Sequence, residues 1–179
     1  MIEQFEDPNG IGFFMTNGRE ALIQQPKEFY DNATPSGNSV AVHALLRLAK
    51  ITGNEGWAGK ALPVLKALVS MMARHPAAFG HLLGALDLML ANGPEIAIVG
   101  DPGDEAAQAL LREVFRRYLP NKVLVCGKDE SLFLLKDRTR IAGRATAYVC
   151  LDQICQAPVT SASDLSLQLD RICDSNGTS

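Results

Sequence analysis

Apolar residues recur along this chain with two different periods, and the change falls near residue 93. Before it, three segments carry helical spacing. In residues 38–51, Ala41, Ala44, Leu45 and Leu48 form one stripe, and Val42, Leu46 and Ala49 extend it round most of the cylinder. A helix apolar on nearly all sides needs cover on more than one of them. Gly53 is its stop signal. In residues 55–74, Ala61, Val64, Leu65, Leu68 and Met72 line one face, while Lys60, Lys66, Ser70 and Arg74 fall mostly elsewhere. This is an amphipathic surface helix, which Pro63 is expected to bend or to start late. Residues 77–90 are again apolar on most sides, through Phe79, Leu82, Leu83, Leu86, Met89 and Leu90. Buried, amphipathic, buried is the order of alternating inner and outer helices in a layered bundle or toroid, and a plain helical bundle also allows it.

After "ANGP" the period shortens. "EIAIVG" (95–100) and "KVLVCG" (122–127) are β-rich runs on either side of a helical stretch at 104–118, which predicts a βαβ unit with a parallel pair. "AYVCLDQICQAPV" reads as a hairpin, residues 163–172 as a closing helix with Asp164 near its cap, and the tail as frayed. Ahead of the first helix, residues 6–25 are punctuated by glycine and read as a hairpin or ordered loop. Two parts follow: residues 1–93, helical with that N-terminal loop or hairpin, and residues 94–179, a small α/β segment packed on them.

Of the chain's 179 residues 47% are hydrophobic, enough to bury a sizeable core. The formal charge of −3 gives no electrostatic reason to expect nucleic acid or an anionic membrane as partner. Arg112, Arg116 and Arg117 do cluster, but a solvated helix face explains them, and no aromatic residues stand between them to stack bases. "MIEQFEDPNG" has neither the basic start nor the apolar run of a signal peptide, and the apolar segment 77–90 is too short to span a bilayer. These features predict a soluble cytoplasmic protein, in which Cys126, Cys150, Cys155 and Cys173 are reduced thiols by default.

The chemistry concentrates before the first helix, in Tyr30, Asp31 and "TPSGNS". Pro35 fixes the entry, Ser36 or Asn38 can cap, and the first free N–H groups then point toward the loop. Together with the nearby hydroxyls and amide, those donors suit a sugar hydroxyl or a carboxylate. A well-capped helix and nothing more accounts for the same residues. Tyr30 and Asp31 are the catalytic candidates, since a phenol and a carboxylate at a cavity mouth can stack on a sugar ring, accept its hydroxyls or move a proton. Packing and turn formation are the plain alternatives. Glu28 is near in sequence, but nothing aims its side chain at the same place, so no acid–base pair is assigned.

Two further stretches invite chemistry. "GDPGDEAAQ" sits between a strand and a helix, yet it lacks G-x-G-x-x-G and a P-loop lysine, and Asp101 and Asp104 put negative charge where a phosphate would go. It reads as a turn and cap. Cys150 and Cys155 flank "LDQI", a hairpin loop, so they face each other across the ladder with Cα atoms about 4.5–5.5 Å apart. That is within disulfide reach, and the pair is a redox candidate, with two packed thiols as the alternative. No metal is predicted, because His43, His75 and His81 are far from the cysteines in sequence, and no cofactor motif is present.

Several of these pieces together resemble the C-terminal portion of the spermatogenesis-associated protein 20 family. They are "GIGFFMT", "KEFYDNATPSGNSVAVHALLRLAKITG", "EIAIVGDP", "PNKVLVCG" and "ATAYVCLDQICQAPVT", in the family's order from Phe5 to Leu169. "YD-x-A-x-PSGNS" and "AYVC-x4-CQAPV" are the most specific. The resemblance implies a large protein with an N-terminal thioredoxin-like domain and an (α/α)6 toroid similar to N-acylglucosamine 2-epimerase and six-hairpin glycosidases. It implies a fold here that is mainly α with an α/β segment, a partial toroid of about three helices followed by a small βαβ plus hairpin unit. In such toroids, loops at the starts of inner helices line a carbohydrate-sized cavity, which makes Phe14, Tyr30, Asp31, Ser36, Asn38 and Ser39 candidate ligand-binding residues.

The function implied is completion of a binding cavity for a carbohydrate or other small polar ligand, without catalysis by this chain alone. The alternatives are a split or truncated sugar isomerase or glycosidase-like enzyme, a redox module exchanging Cys150 and Cys155 with a thioredoxin-like partner, and a decayed gene fragment. The resemblance begins near the end of the toroid, so the apolar helices are expected to self-associate or to pair with a chain carrying the rest.

Overall fold

A computed structural model of the chain describes residues 2–18, 25–91, 93–151 and 154–176, with side chains as far as residue 173. The described chain is a mixture of six α-helices and a four-stranded sheet, in two compact units. One comprises residues 1–49 and 54–90, the other residues 50–53 and 91–179.

In the first unit a one-turn helix, α1 (Ile2–Phe5), leads into a loop that Glu6 and Phe13 close with an antiparallel bridge. Of the expected hairpin or ordered loop, the described part is a bridged loop, and residues 19–24 lie outside the described residues. Helix α2 (Gly37–Thr52) buries Ala41, Val42, Leu45, Leu46 and Ala49 together with Asn38 and Ser39. Its apolar girdle is narrower than the sequence suggests. Ala44 is exposed and Leu48 is 40% exposed, so Val40, Ala44 and Leu48 form a surface row four residues apart.

Helix α3 (Glu55–Arg74) starts at Asn54, whose side chain accepts the Gly56 N–H at 2.9 Å, and it continues unbroken through Pro63. The late start expected from Pro63 does not occur, because the Asn54 cap sets the beginning of the helix upstream. A short 3₁₀ turn (Pro76–Ala78) precedes α4 (Gly80–Leu90), which buries Leu82, Ala85 and Leu88. One core joins these helices, with Val42, Leu45, Val64, Met72, Phe79 and Leu82 at its centre. Phe79 is fully buried, and a buried ring of that size contributes about 1.5–3 kcal/mol.

The second unit holds β1 (Glu95–Val99), α5 (Glu105–Phe115), β2 (Val123–Gly127), β3 (Thr146–Leu151), β4 (Ile154–Cys155) and α6 (Ala162–Asn176). The sheet order is β2-β1-β3-β4, with β1 and β2 parallel and both other pairings antiparallel. The parallel βαβ unit and the β3–β4 hairpin are those the periodicity predicts. Central β1 explains its own unbroken apolar run. Ile96 and Ile98 pack among Leu110, Val114, Leu165 and Leu169 on one face, and Ala97 and Val99 pack with Leu135 on the other.

Helix α6 begins one residue before its predicted start and continues past its predicted end, and Ser161 caps it by accepting the Asp164 N–H at 3.1 Å. The arginine cluster is not a uniformly solvated face. Arg117 donates to Glu113 Oε1 at 2.6 Å, to Asp170 Oδ1 at 2.8 Å and to Ser166 Oγ at 2.6 Å, which ties the end of α5 to α6. In "GDPGDEAAQ", Asp101 accepts the Gly103 N–H at 3.0 Å and pairs with Lys128 at 2.9 Å, so a carboxylate and its counter-ion fill the turn.

Candidate functional site

The site is a cavity of about 400 Å³ in the first unit, at the N-terminal end of α2. Its size falls within the range of small-molecule sites. Phe5, Phe13, Phe14 and Tyr30 supply aromatic wall, and Met15, Pro35 and Ala41 add apolar surface. Glu28, Asn32, Thr34, Ser36 and Asn38 supply the polar groups.

Local hydrogen bonds fix these walls. Ser36 is the cap of α2, since its Oγ accepts the Ser39 N–H at 3.1 Å and its carbonyl accepts the Val40 N–H at 3.1 Å. The Ser36 and Ser39 hydroxyls are 2.8 Å apart. Gly37 and Asn38 open α2, where N–H groups lack an intrahelical acceptor, and both residues line the cavity. Asn38 is only 3% exposed, and its amide is fully employed. It accepts the Phe13 N–H at 2.7 Å and donates to the carbonyls of Phe13 at 2.9 Å and Glu28 at 2.8 Å. One side chain therefore holds both segments that carry the aromatic wall. Gly12 makes this possible, because its φ is +74° and a Cβ there would clash with Asn38 Oδ1.

The sequence-predicted residues separate into two groups. Phe14, Tyr30, Ser36 and Asn38 line the cavity. Phe14 also carries Lys27 Nζ 4.8 Å from its ring centroid, and Lys27 in turn pairs with Asp7. Tyr30 is 43% exposed and its ring rests 5.2 Å from that of Phe79. Ser39 is fully buried behind the cap and is not part of the lining. Asp31 is not part of it either. Its Oδ1 accepts the Ser36 N–H at 2.8 Å, and its Oδ2 accepts the N–H groups of His81 at 2.8 Å and Leu82 at 3.3 Å. Burial opposes the charge on Asp31, but those bonds and one from the Ser39 hydroxyl outweigh it and hold the carboxyl below its ordinary pKa. A carboxylate stabilised in its charged form and bonded on both oxygens is poorly suited to proton transfer.

Among the described residues the carboxylate lining the cavity is that of Glu28, whose Oε1 accepts the Tyr30 N–H at 2.9 Å. The signal for it was present in the sequence. Side chains two residues apart on extended backbone share a side. Glu28 and Tyr30 line the cavity, whereas Phe29 packs against the core and Asp31 turns to α4.

In the second unit, Cys150 and Cys155 are paired across the β3–β4 ladder and joined as a disulfide, with Cα atoms 3.9 Å apart. The default of four thiols therefore holds only for Cys126 and Cys173, which are free. Burial, with the Asp101 charge, pushes the Cys126 thiol above its ordinary pKa. His43 and His81 lie in the first unit with ring centroids 5.0 Å apart. No group of three or more metal-ligating side chains occurs among the described residues, and no described helix is long and apolar enough to cross a membrane.

No family model and no solved structure matches the chain. Among curated proteins, an uncharacterized protein of Caenorhabditis elegans is 24% identical over 162 residues, which is 88% of this chain and 22% of that protein. Spermatogenesis-associated protein 20 of Mus musculus, of Rattus norvegicus and of Homo sapiens is in each case 36% identical over 170 residues. The chain spans only 22% of the length of these relatives. Across 90% of its own residues, the chain is homologous to spermatogenesis-associated protein 20.

Proposed function

We propose that the cavity at the start of α2 binds a sugar-sized polyhydroxyl ligand, and that this chain forms one wall of a larger ring of helices. The observation that carries the reading is the composition of that wall. Among the described residues, aromatic rings, Tyr30 and Phe14 among them, flank the carboxylate of Glu28 and the first N–H groups of α2 at Gly37 and Asn38. Aromatic faces stack on the C–H faces of a sugar ring, a carboxylate accepts its hydroxyls, and helix N–H groups donate to its oxygens. The site binds rather than reacts. Glycoside hydrolysis uses two carboxyl groups on either side of the scissile bond. Among the described residues Glu28 is the carboxylate in the lining, and Asp31 is committed to α4.

The ring reading draws on burial. Helix α2 is covered on two adjacent faces while α3 is buried on one, as inner and outer helices of a layered ring would be. In that arrangement the surface row Val40, Ala44 and Leu48 is covered by further hairpins or by a second copy of the chain.

The test is a titration of neutral mono- and disaccharides followed by amide NMR. The expected result is saturable shifts at the Gly37 and Asn38 amides. Tyr30→Ala and Glu28→Ala should each weaken binding about tenfold, equivalent to about 1.4 kcal/mol. Sugars that leave those amides unmoved would remove the carbohydrate reading.

A further inference from the structure

We propose that the Cys150–Cys155 disulfide is a dithiol-exchange site, opened by attack of an external thiolate on Cys155, with Arg138 receiving the released Cys150 thiolate. Three observations make the two sulfurs unequal in this way.

The first is exposure. Cys150 is 2% exposed near the end of β3, between β1 and β4, whereas Cys155 is exposed on β4, a two-residue strand at the edge of the sheet. Its neighbour Ile154 is 76% exposed. An incoming thiolate therefore reaches Cys155 and not Cys150.

The second is charge. Arg138 Nη2 lies 3.2 Å from Cys150 Sγ and 3.6 Å from Cys155 Sγ. Arg138 forms no salt bridge with any carboxylate among the described residues. A guanidinium stays protonated, gains little from a neutral disulfide and gains a charge-assisted bond from a thiolate. Its full value at this position is realised only once the S–S bond is open.

The third is positioning. Arg138 Nη1 donates to the Leu134 carbonyl, and its guanidinium carbon sits 5.7 Å from the centroid of the Tyr148 ring. Tyr148 is itself pinned, because its hydroxyl donates to the Thr139 carbonyl at 2.7 Å and accepts the Thr139 N–H at 3.2 Å. The cation is thus held in place before any reaction, so little ordering is required when the thiolate forms.

The exchange balances with a dithiol as reductant. One thiolate of the dithiol forms a bond to Cys155 Sγ. The Cys150–Cys155 bond breaks, and its electron pair stays on Cys150 Sγ. The second thiolate of the dithiol then attacks its own partner sulfur in the mixed disulfide and frees Cys155. The dithiol is oxidised to a disulfide, the protein disulfide is reduced by two electrons, and the two protons pass to the released cysteines or to water. Arg138 is a positioning and charge-stabilising residue for the leaving sulfur, while Cys155 is the sulfur that reacts.

Two measurements on the intact 179-residue chain test this. The chain, purified without reductant, is exposed briefly to glutathione, alkylated with iodoacetamide, digested and mapped by mass spectrometry. Glutathione is expected on Cys155 and the alkyl group on Cys150. Adduct on Cys150, or two cysteines that alkylate with no prior reductant, would overturn the proposal. In the second, dithiothreitol reduction is timed for wild type, Arg138→Gln and Arg138→Lys. The glutamine variant is expected to be slower by roughly three- to tenfold, because a leaving thiol of higher pKa departs more slowly, and lysine should restore most of the rate. In reduced Cys155→Ser chains, the pH midpoint of Cys150 alkylation should rise with Arg138→Gln. Equal rates and equal midpoints would overturn the role of Arg138. If the glutamine variant does not fold, the lysine variant and the wild-type adduct map still decide the matter.

Discussion

The Asp31 carboxylate accepts the backbone N–H of His81 at 2.8 Å, across fifty residues of sequence. With the Leu82 N–H on the same oxygen and the Ser36 N–H on the other, one side chain caps α4 and braces the loop that caps α2. The Asp31 N–H also donates to the Ala78 carbonyl at 2.8 Å, so main chain and side chain fasten this loop to the entry of α4 together.

Asp31→Ala should therefore lower stability by about 1–2 kcal/mol at neutral pH, as the loss of a cap does. The folded-state pKa of Asp31 lies below its ordinary value. Its contribution is accordingly present above roughly pH 4 and is lost as the pH falls through the lowered value. Urea midpoints of wild type and variant should differ at pH 7 and converge toward pH 3. A gap that persists in acid would mean the charge is not what stabilises the loop.

Asn38 predicts a sharper effect. Asn38→Asp changes no volume, but it sets an oxygen where the amide now donates to the carbonyls of Phe13 and Glu28. Three acceptors would then meet in a buried place, at a cost of about 3 kcal/mol or more. Asn38→Asp should broaden or abolish cooperative urea unfolding and disperse the amide signals of the Phe13 and Glu28 segments. Gly12→Ala should act in the same direction, since its Cβ would press on Asn38 Oδ1. A variant with wild-type unfolding would show that Asn38 does not hold the aromatic wall.

What was legible in the sequence was whatever a local period or a local cap decides. The strands β1 and β2, the hairpin facing of Cys150 and Cys155, and the cap at Ser36 all belong to that class. The cavity-lining residues Tyr30, Ser36 and Asn38 stand out in the sequence because they surround a helix start. Their separate tasks could not. Nearness to Tyr30 pairs Asp31 with it in the sequence, whereas the direction of its side chain is decided by the N-terminus of α4, which no local pattern locates. Leu48 and Ala44 count as apolar in any periodicity, and only the packing of other helices decides that this side of α2 remains at the surface. Composition alone makes Arg117 a solvated residue, because its partners Ser166 and Asp170 lie on a helix far along the chain.

His43 gives the last expectation. It stands on α2 with Arg47 Nε donating toward its Nδ1 at 3.5 Å and the His81 ring 5.0 Å away. Burial, and then the positive charges of Arg47 and His81, hold its pKa below the ordinary histidine value. In the unfolded chain His43 takes up its proton near pH 6.5, and in the folded chain it resists doing so. The folded state therefore binds fewer protons in that window, and stability declines as the pH falls from about 6.5 through the lowered value. Urea midpoints should be lower at pH 5.5 than at pH 7.5. In His43→Gln, which keeps an acceptor for Arg47 and removes the titration, this decline should flatten, while Arg47→Gln should lessen it by removing one of the opposing charges. Because Asp31 titrates well below this window, the two pH effects are separable in one set of curves. Identical declines in wild type and His43→Gln would assign the pH dependence to another group.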